Sequence, residues 1–211
     1  MPNPAFFNLP KDKRNLIISV SIDEFSAANY DLASINHICK KSNIAKGSFY
    51  QYFTDKLDLY VYIMTLAVDE KIRFFTEVLG EFNSLTLLEK VRTLFIRGFE
   101  FSIKYPHYTA LGEQFIKESN EAAKSAVIKE GEKRSEILFV QMVDDAKSKG
   151  EISDDVNSMV LSMLLQSVNK TVNEYIQNRS DKDDPSDLSE EINKLVDSLL
   201  SIIYNGIKPI K

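Results

Sequence analysis

Cysteine and histidine are almost missing from this chain: of 211 residues, one is cysteine and two are histidine. No intrachain disulfide, Cys/His zinc cluster or Cys-x-x-Cys redox pair can be built from so few. A lone free thiol fits the reducing cytoplasm. Glycine and proline are scarce too, at seven and six, which counts against a strand-rich fold, because sheets need many turn residues. The sequence has no Gly-rich phosphate loop, no His-Glu-x-x-His and no Gly-x-Ser-x-Gly, so neither an enzyme nor a cofactor is indicated. The N-terminal stretch MPNPAFFNLPKDKRN has no apolar core of signal-peptide length. The longest uncharged stretch, Val156–Asn169, is too short to span a bilayer and is interrupted by serine and asparagine.

What is present is a 44% apolar content, enough for a real core, in a background rich in Leu, Ile, Lys, Glu and Ser. That composition predicts a compact, soluble, helical protein. The net charge of −5 is uneven: residues 1–56 hold seven Lys/Arg against five acids, and the remainder 19 against 26. Phosphate contact needs local rather than global positive charge, so an acidic body with a mildly basic head is compatible with DNA binding. A solvated face would look the same.

The stretch Ile35–Tyr60, INHICKKSNIAKGSFYQYFTDKLDLY, packs two short amphipathic helices and the start of a third into too few residues to bury a core alone. Ile35, Ile38 and Cys39 recur at i, i+3 and i+4, which predicts a helix from Ser34 to Ser42. Ser34 is placed to cap it, and Asn43 to end it, since asparagine tolerates the left-handed backbone. A second helix is expected from Ala45 to Tyr52, with Phe49 and Phe53 inward and Lys46, Gly47, Ser48, Tyr50, Gln51 and Tyr52 on other faces. Helix, three-residue turn, helix is the geometry that sets a second helix in a DNA major groove. Gly47 is costly inside a helix, roughly 1 kcal/mol against alanine, and a close backbone approach to DNA would explain it. Lys46, Ser48 and Gln51 can reach base edges, lysine toward guanine, glutamine toward adenine and serine toward either. Tyr50 suits a thymine methyl or a sugar.

The run Lys46-Gly47-Ser48-Phe49-Tyr50-Gln51-Tyr52-Phe53, followed by Asp55-Lys56 and Leu59-Tyr60, resembles the DNA-binding signature of the TetR (tetracycline repressor) family of bacterial transcriptional regulators. The motif resemblance extends over Leu16–Tyr60; beyond it, length and helical character alone match. Asn43 and Asn29 stand where the family usually has glycine, and Cys39 where it has a small residue. The resemblance implies an all-α chain, with a three-helix helix-turn-helix DNA-binding domain at 1–57 and a larger helical effector-binding and dimerisation domain at 58–211. It implies DNA contacts from Ser34, Lys46, Gly47, Ser48, Tyr50, Gln51, Tyr52 and Lys56, with Tyr52 and Lys56 on phosphate. Ordinary packing is the other reading for Tyr50 and Tyr52, and plain surface charge for Lys56. The function implied is that of a cytoplasmic homodimeric repressor, bound to a palindromic operator and released by a small apolar or amphipathic ligand. The rival is a helical carrier or enzyme that keeps the fold.

Along the rest of the chain, a first helix is expected over Lys11–Ala27, burying Leu16, Ile17, Val20, Ile22 and Phe25. Lys11, Lys13 and Arg14 lie at its start, where they either touch phosphate or form a solvated end. Thr54 is expected to cap a long helix from Asp55 to Leu79, with Leu59, Ile63, Leu66, Ala67, Ile72 and Phe75 on its stripe and Gly80, Asn83 and Ser84 ending it. Further helices are expected at Leu87–Lys104, Pro106–Lys117, Glu121–Lys149, Asp154–Gln177 (opened by Ser153) and Leu188–Gly206, with a loop over Asn178–Asp187. The last two have broad apolar faces that either join the chain's own core or pair with a second copy. The resemblance implies pairing, and Met159, Met163, Val172, Ile192, Leu195, Leu199 and Ile202 are the interface candidates. The middle helices are rich in aromatic residues, in most proteins simply core. Here the resemblance implies that some line an effector cavity, and the candidates are Phe99, Tyr105, His107, Tyr108, Gln114, Phe115, Phe139, Met142, Gln166 and Asn169. His37 reads as a surface or packing residue, and Asp144-Asp145 and Asp154-Asp155 as solvated helix-end acids rather than metal ligands.

Overall fold

The computed structural model describes residues 1–76, 84–179 and 185–207. Among them the chain forms helices and no strand. In order these are α1 (Pro4–Phe7), α2 (Lys11–Ala27), α3 (Ile35–Lys41), α4 (Lys46–Tyr52), α5 (Lys56–Thr76), α6 (Leu87–Lys104), α7 (Pro106–Ile116), α8 (Glu121–Ser148), α9 (Ser158–Arg179) and α10 (Pro185–Ile207). The expected end of the long helix at Leu79, with Gly80 and Asn83, lies outside the described residues, as do 180–184 of the expected loop.

Several boundaries differ from the sequence expectation for physical reasons. The residue that caps α5 is Asp55, not Thr54: Asp55 Oδ1 accepts the N–H of Asp58 at 2.8 Å, and Asp58 Oδ2 in return accepts the N–H of Thr54 at 3.1 Å. A carboxylate both accepts such a donor and carries the negative charge that a helix start favours, whereas a hydroxyl supplies the acceptor alone. Helix α9 starts at Ser158, not Asp154. Ser153 closes a local turn with Val156, and Asn157 Oδ1 takes the cap role by accepting from Val160 at 3.1 Å. Short polar side chains at this point offer the backbone a turn in place of helix. Helix α10 begins earlier than Leu188, at Pro185, where the missing proline N–H costs nothing. Leu16 and Ile72, both expected inside, are 41% and 39% exposed; Phe74 takes the inward position near the end of α5.

The chain divides into two compact units, Met1–Ile72 with Lys104–Glu132, and Arg73–Ile103 with Lys133–Lys211. The first gathers Phe6, Ile17, Phe25, Ile38, Phe49, Phe53, Leu59 and Ile63 around a single core, with Leu111 of α7 against them. Helix α7 lies along α2. Phe6, Phe49 and Phe53 are fully buried, and each such side chain contributes about 1.5–3 kcal/mol.

The second unit has its own core, in which Val91, Phe95, Val143, Leu165, Ile192 and Val196 meet from α6, α8, α9 and α10. Two polar ties link its helices. Lys90, 5% exposed, reaches Asp145 at 2.8 Å, and Arg92 of α6 reaches Asp197 and Asn193 of α10 at 2.7 and 3.0 Å. The hydrogen bond from Lys149, and then that from Lys90, hold the Asp145 carboxyl below the usual carboxylate range.

Candidate nucleic-acid interface

The reading unit is α3, a tight turn and α4. Glu24 of α2 organises its start: one carboxylate oxygen accepts the N–H of Ser34 at 2.9 Å and the other meets His37 Nδ1 at 2.6 Å. Ser34 Oγ then accepts the N–H of His37 at 3.3 Å, the cap expected from the sequence. At the other end Asn43 adopts φ +50, with its N–H donating to Lys40 O at 3.2 Å and that of Ile44 to Cys39 O at 3.0 Å. This pair of bonds is the Schellman closure that satisfies the last helix carbonyls, and asparagine supplies the left-handed residue usually given by glycine.

Two lysines hold α3 from outside. Lys13 Nζ donates to the carbonyls of Ser42 and Asn43 at 2.9 and 2.7 Å, fixing the turn. Lys56 Nζ donates to the carbonyls of Asp31 and Ala33, both at 3.1 Å, and sits 4.5 Å over the Tyr30 ring. Lys13 therefore braces the turn, and Arg14 donates to Phe7 O at 2.9 Å. Lys56 keeps one of its three donors for another acceptor.

Helix α4 follows with Ala45 at its cap position and no side-chain cap. Phe49 faces the core. Lys46, Gly47, Tyr50 and Gln51 are exposed and Ser48 is half-buried. Tyr50 is held edge-on to Phe49, with ring centroids 5.2 Å apart. Tyr52 is half-buried against the first unit's core, 6.2 Å from Phe6. A Cβ added at Gly47 would meet nothing within 4 Å, so no internal packing demands glycine there. Lys40, Lys41 and Lys46 line the exposed surface of this pair of helices.

Burial, and then Asp55, Asp31 and Glu118, push the Tyr30 phenol above its ordinary value, and burial raises Tyr60 further still. The Cys39 thiol is raised by burial, with Lys46 pulling partly the other way. Among the described residues no group of three or more His, Cys, Asp or Glu could hold a metal ion, and no helix is long and apolar enough to cross a membrane.

Sequence reasoning did not single out Glu24, Asn3 or Glu118. Glu24 and Glu118 look like ordinary surface acids in the linear sequence, and the folded chain alone brings them against backbone donors.

The remaining candidates separate. Met159, Met163 and Ile202 are 46%, 59% and 72% exposed, and Leu195 and Leu199 are half-buried. Val172 and Ile192 lie in the second unit's core at 2% and 0% exposure; with no surface left to offer, they are corrected from interface to core. Phe99, Phe139 and Met142 lie in that same core. Phe115 and Tyr108 pack instead on the core of the first unit. Tyr105, His107 and Tyr108 line a cleft of about 320 Å³ with Ser19, Ile22, Asp23, Lys104 and Pro106, where His107 Nδ1 lies 3.3 Å from Asp23 Oδ1. Gln114 and Gln166 are half-buried, and the side chain of Asn169 lies outside the described residues.

Residues 17–63, from α2 into α5, match the family described as "Bacterial regulatory proteins, tetR family". This stretch is a TetR-family head domain. A search of curated proteins returns no match. Among solved structures, a TetR-family transcriptional regulator from Chloroflexus aurantiacus J-10-FL is similar at 25% identity and TM-score 0.67, with all of both chains covered. The fatty acid degradation regulator FadR from Bacillus halodurans is 19% identical with TM-score 0.69, over 90% of this chain and 96% of its own. FadR from Bacillus subtilis, in complex with stearoyl-CoA, is 16% identical with TM-score 0.70, over 86% and 96%. The two FadR likenesses establish the fold. The TetR-family head makes α3–turn–α4 a DNA-binding helix-turn-helix.

Proposed function

We propose that this regulator is a homodimeric repressor, acting in the cytoplasm, that reads a palindromic operator with two α4 helices and lets go when a small apolar or amphipathic ligand binds. The observation that carries the DNA reading is Gly47. It is exposed, sits inside a short helix, and has open space where a side chain would be. The fold loses about 1 kcal/mol by keeping glycine there rather than alanine, and a backbone that must approach DNA closely accounts for it. Around it Lys46, Ser48 and Gln51 are the base-edge readers, Tyr50 contacts a thymine methyl or sugar, and Ser34, Tyr52 and the spare donor of Lys56 take phosphates.

One such helix reads too few bases for useful specificity, and pairing solves this. Helix α9 sends Leu161, Leu165 and Val172 into its own core while Met159, Val160, Met163 and Leu164 stay exposed, and α10 exposes Ile202. Exposed apolar residues on both of the last two helices support a four-helix dimer interface. Two heads then meet half-sites about 34–36 Å apart. The domains are read as a head at 1–57 and an effector-binding, dimerising body at 58–211. The ligand class rests on the apolar character of Phe99, Phe139 and Met142 and on the amphipathic stearoyl-CoA in one similar structure. Release requires the ligand to favour the arrangement that does not bind DNA; tight binding alone shifts nothing.

The test is selection of bound duplexes from a random DNA pool at about 0.15 M salt, where non-specific binding is weak. An enriched inverted repeat is the expected outcome. No enrichment by a folded dimer would overturn the ligand-free repressor.

A further inference from the structure

The residues before α2 lie outside the matched 17–63, yet they close onto the recognition helix. The Asn3 backbone N–H donates to Tyr52 O at 2.8 Å, and its side-chain amide donates to Gln51 O at 3.2 Å. These are the carbonyls of the last two residues of α4, groups that have no partner within a helix that stops there. A seven-residue helix is far too short to hold itself together, so what satisfies its end decides whether it stays formed. Phe6 anchors the arm. It is fully buried, with its ring 4.9 Å from Phe53, 5.6 Å from Tyr62 and 6.2 Å from Tyr52. The arm is fixed at its far side as well, where Arg14 donates to Phe7 O.

We propose that this N-terminal arm is a positioning element for DNA reading, in which Asn3 closes the C-terminal end of α4 and so sets the register of Tyr50, Gln51 and Tyr52 on the operator. Asn3 acts through α4 and needs no DNA contact of its own. The inference rests on the operator reading above, and its test is chosen to separate the two.

Asn3→Ala removes the side-chain donor and keeps the backbone one. Asn3→Asp keeps the shape and replaces the donor with an acceptor facing the Gln51 carbonyl. In the whole chain free of DNA, amide hydrogen exchange at Phe49–Phe53 is expected to speed up about tenfold or more in both variants, while amides of α3 stay as in the wild type. On the duplex selected by the wild type, both variants are expected to lose about five- to tenfold in specific affinity, the loss that goes with one hydrogen bond, with non-specific affinity and the salt slope unchanged. Unchanged exchange across α4 overturns the arm's role whether or not an operator is found. Faster exchange with an unaltered ratio of specific to non-specific affinity overturns its bearing on reading. If the wild type selects no duplex, the operator reading fails and the exchange data alone decide whether the arm holds α4.

Discussion

Glu118 Oε2 accepts the backbone N–H of Tyr30 at 2.7 Å, joining residues 88 positions apart. The other oxygen accepts the N–H of Asn120 at 2.8 Å, and Asn120 reaches Asp31 at 2.7 Å. The segment after α7 is thereby tied to the turn that leads into α3. Glu118 is 3% exposed, so its loss leaves two backbone donors without a partner. Glu118→Ala is expected to lower unfolding free energy by about 1–3 kcal/mol per donor stranded away from water. Glu118→Gln, which keeps one acceptor oxygen, is expected to lose less. Denaturant titration distinguishes them, and equal stability of all three proteins would show that the tie is dispensable.

Lys13 and Lys46 are both basic residues of the head with different work. Lys13 holds the carbonyls of the turn at 2.9 and 2.7 Å, whereas Lys46 is exposed on α4. Lys13→Ala is expected to weaken operator binding while leaving the dependence of log K on log salt unchanged, because no phosphate contact is lost. Lys46→Ala is expected to reduce discrimination at a guanine by about 1–3 kcal/mol. If Lys46 meets phosphate instead, the slope falls by about 1 and all sequences weaken together.

Local chemistry makes the helix-turn-helix legible in the sequence. Ser34 caps, Asn43 turns and Phe49 faces inward because each choice is dictated by neighbours within a few residues. The misplaced details depend on competition or on distance. Asp55 beats Thr54 because a carboxylate serves the helix start better. Asn157 wins over Ser153 because Ser153 has already closed a turn. The roles of Lys13 and Lys56 as braces, and of Asn3 and Glu118 as closures, arise from partners 23 to 88 residues away, which no periodicity encodes. Val172 and Ile192 carry the same apolar signal as Met163, and core and interface faces cannot be separated until the helices are packed.

The second unit is expected to lose stability in acid. Hydrogen bonds from Lys149 and Lys90 depress the Asp145 carboxyl. A carboxylate held lower in the folded than in the unfolded chain contributes stability above its unfolded value, and this is lost as pH falls through the folded one. The thermal midpoint of the wild type is therefore expected to drop below about pH 4, the ordinary aspartate range, and Asp145→Asn is expected to flatten that drop. At neutral pH the same variant leaves the Lys90 ammonium, 6% exposed, without its carboxylate, so Lys90→Met in addition is expected to recover stability.

Pairing through α9 predicts opposite outcomes for two apolar positions. Met163, 59% exposed, is expected to tolerate Glu in the folded chain but to leave an unpaired charge in the dimer interface. Sedimentation should then give folded monomer at micromolar concentration. Val172, 2% exposed, is expected to lose the fold itself on the same change. A Met163→Glu protein that sediments as wild type would place the interface elsewhere.

Gly47 gives the clearest separation of fold from function. With nothing within 4 Å of an added Cβ and no positive φ, Gly47→Ala is expected to stabilise the chain by about 0.5–1 kcal/mol, since alanine restricts the unfolded state and favours helix. Gly112 is also helical and also has open space, so Gly112→Ala is the control and is expected to raise stability by a similar amount. The two should part company on DNA. A methyl group between the α4 backbone and the duplex is expected to cost at least tenfold in operator affinity at Gly47, while Gly112→Ala binds as the wild type does. A more stable protein that binds its operator less well is what close approach demands. If Gly47→Ala gains stability and binds unchanged, the backbone of α4 does not approach DNA closely, and reading must rest on the long side chains of Lys46 and Gln51 alone.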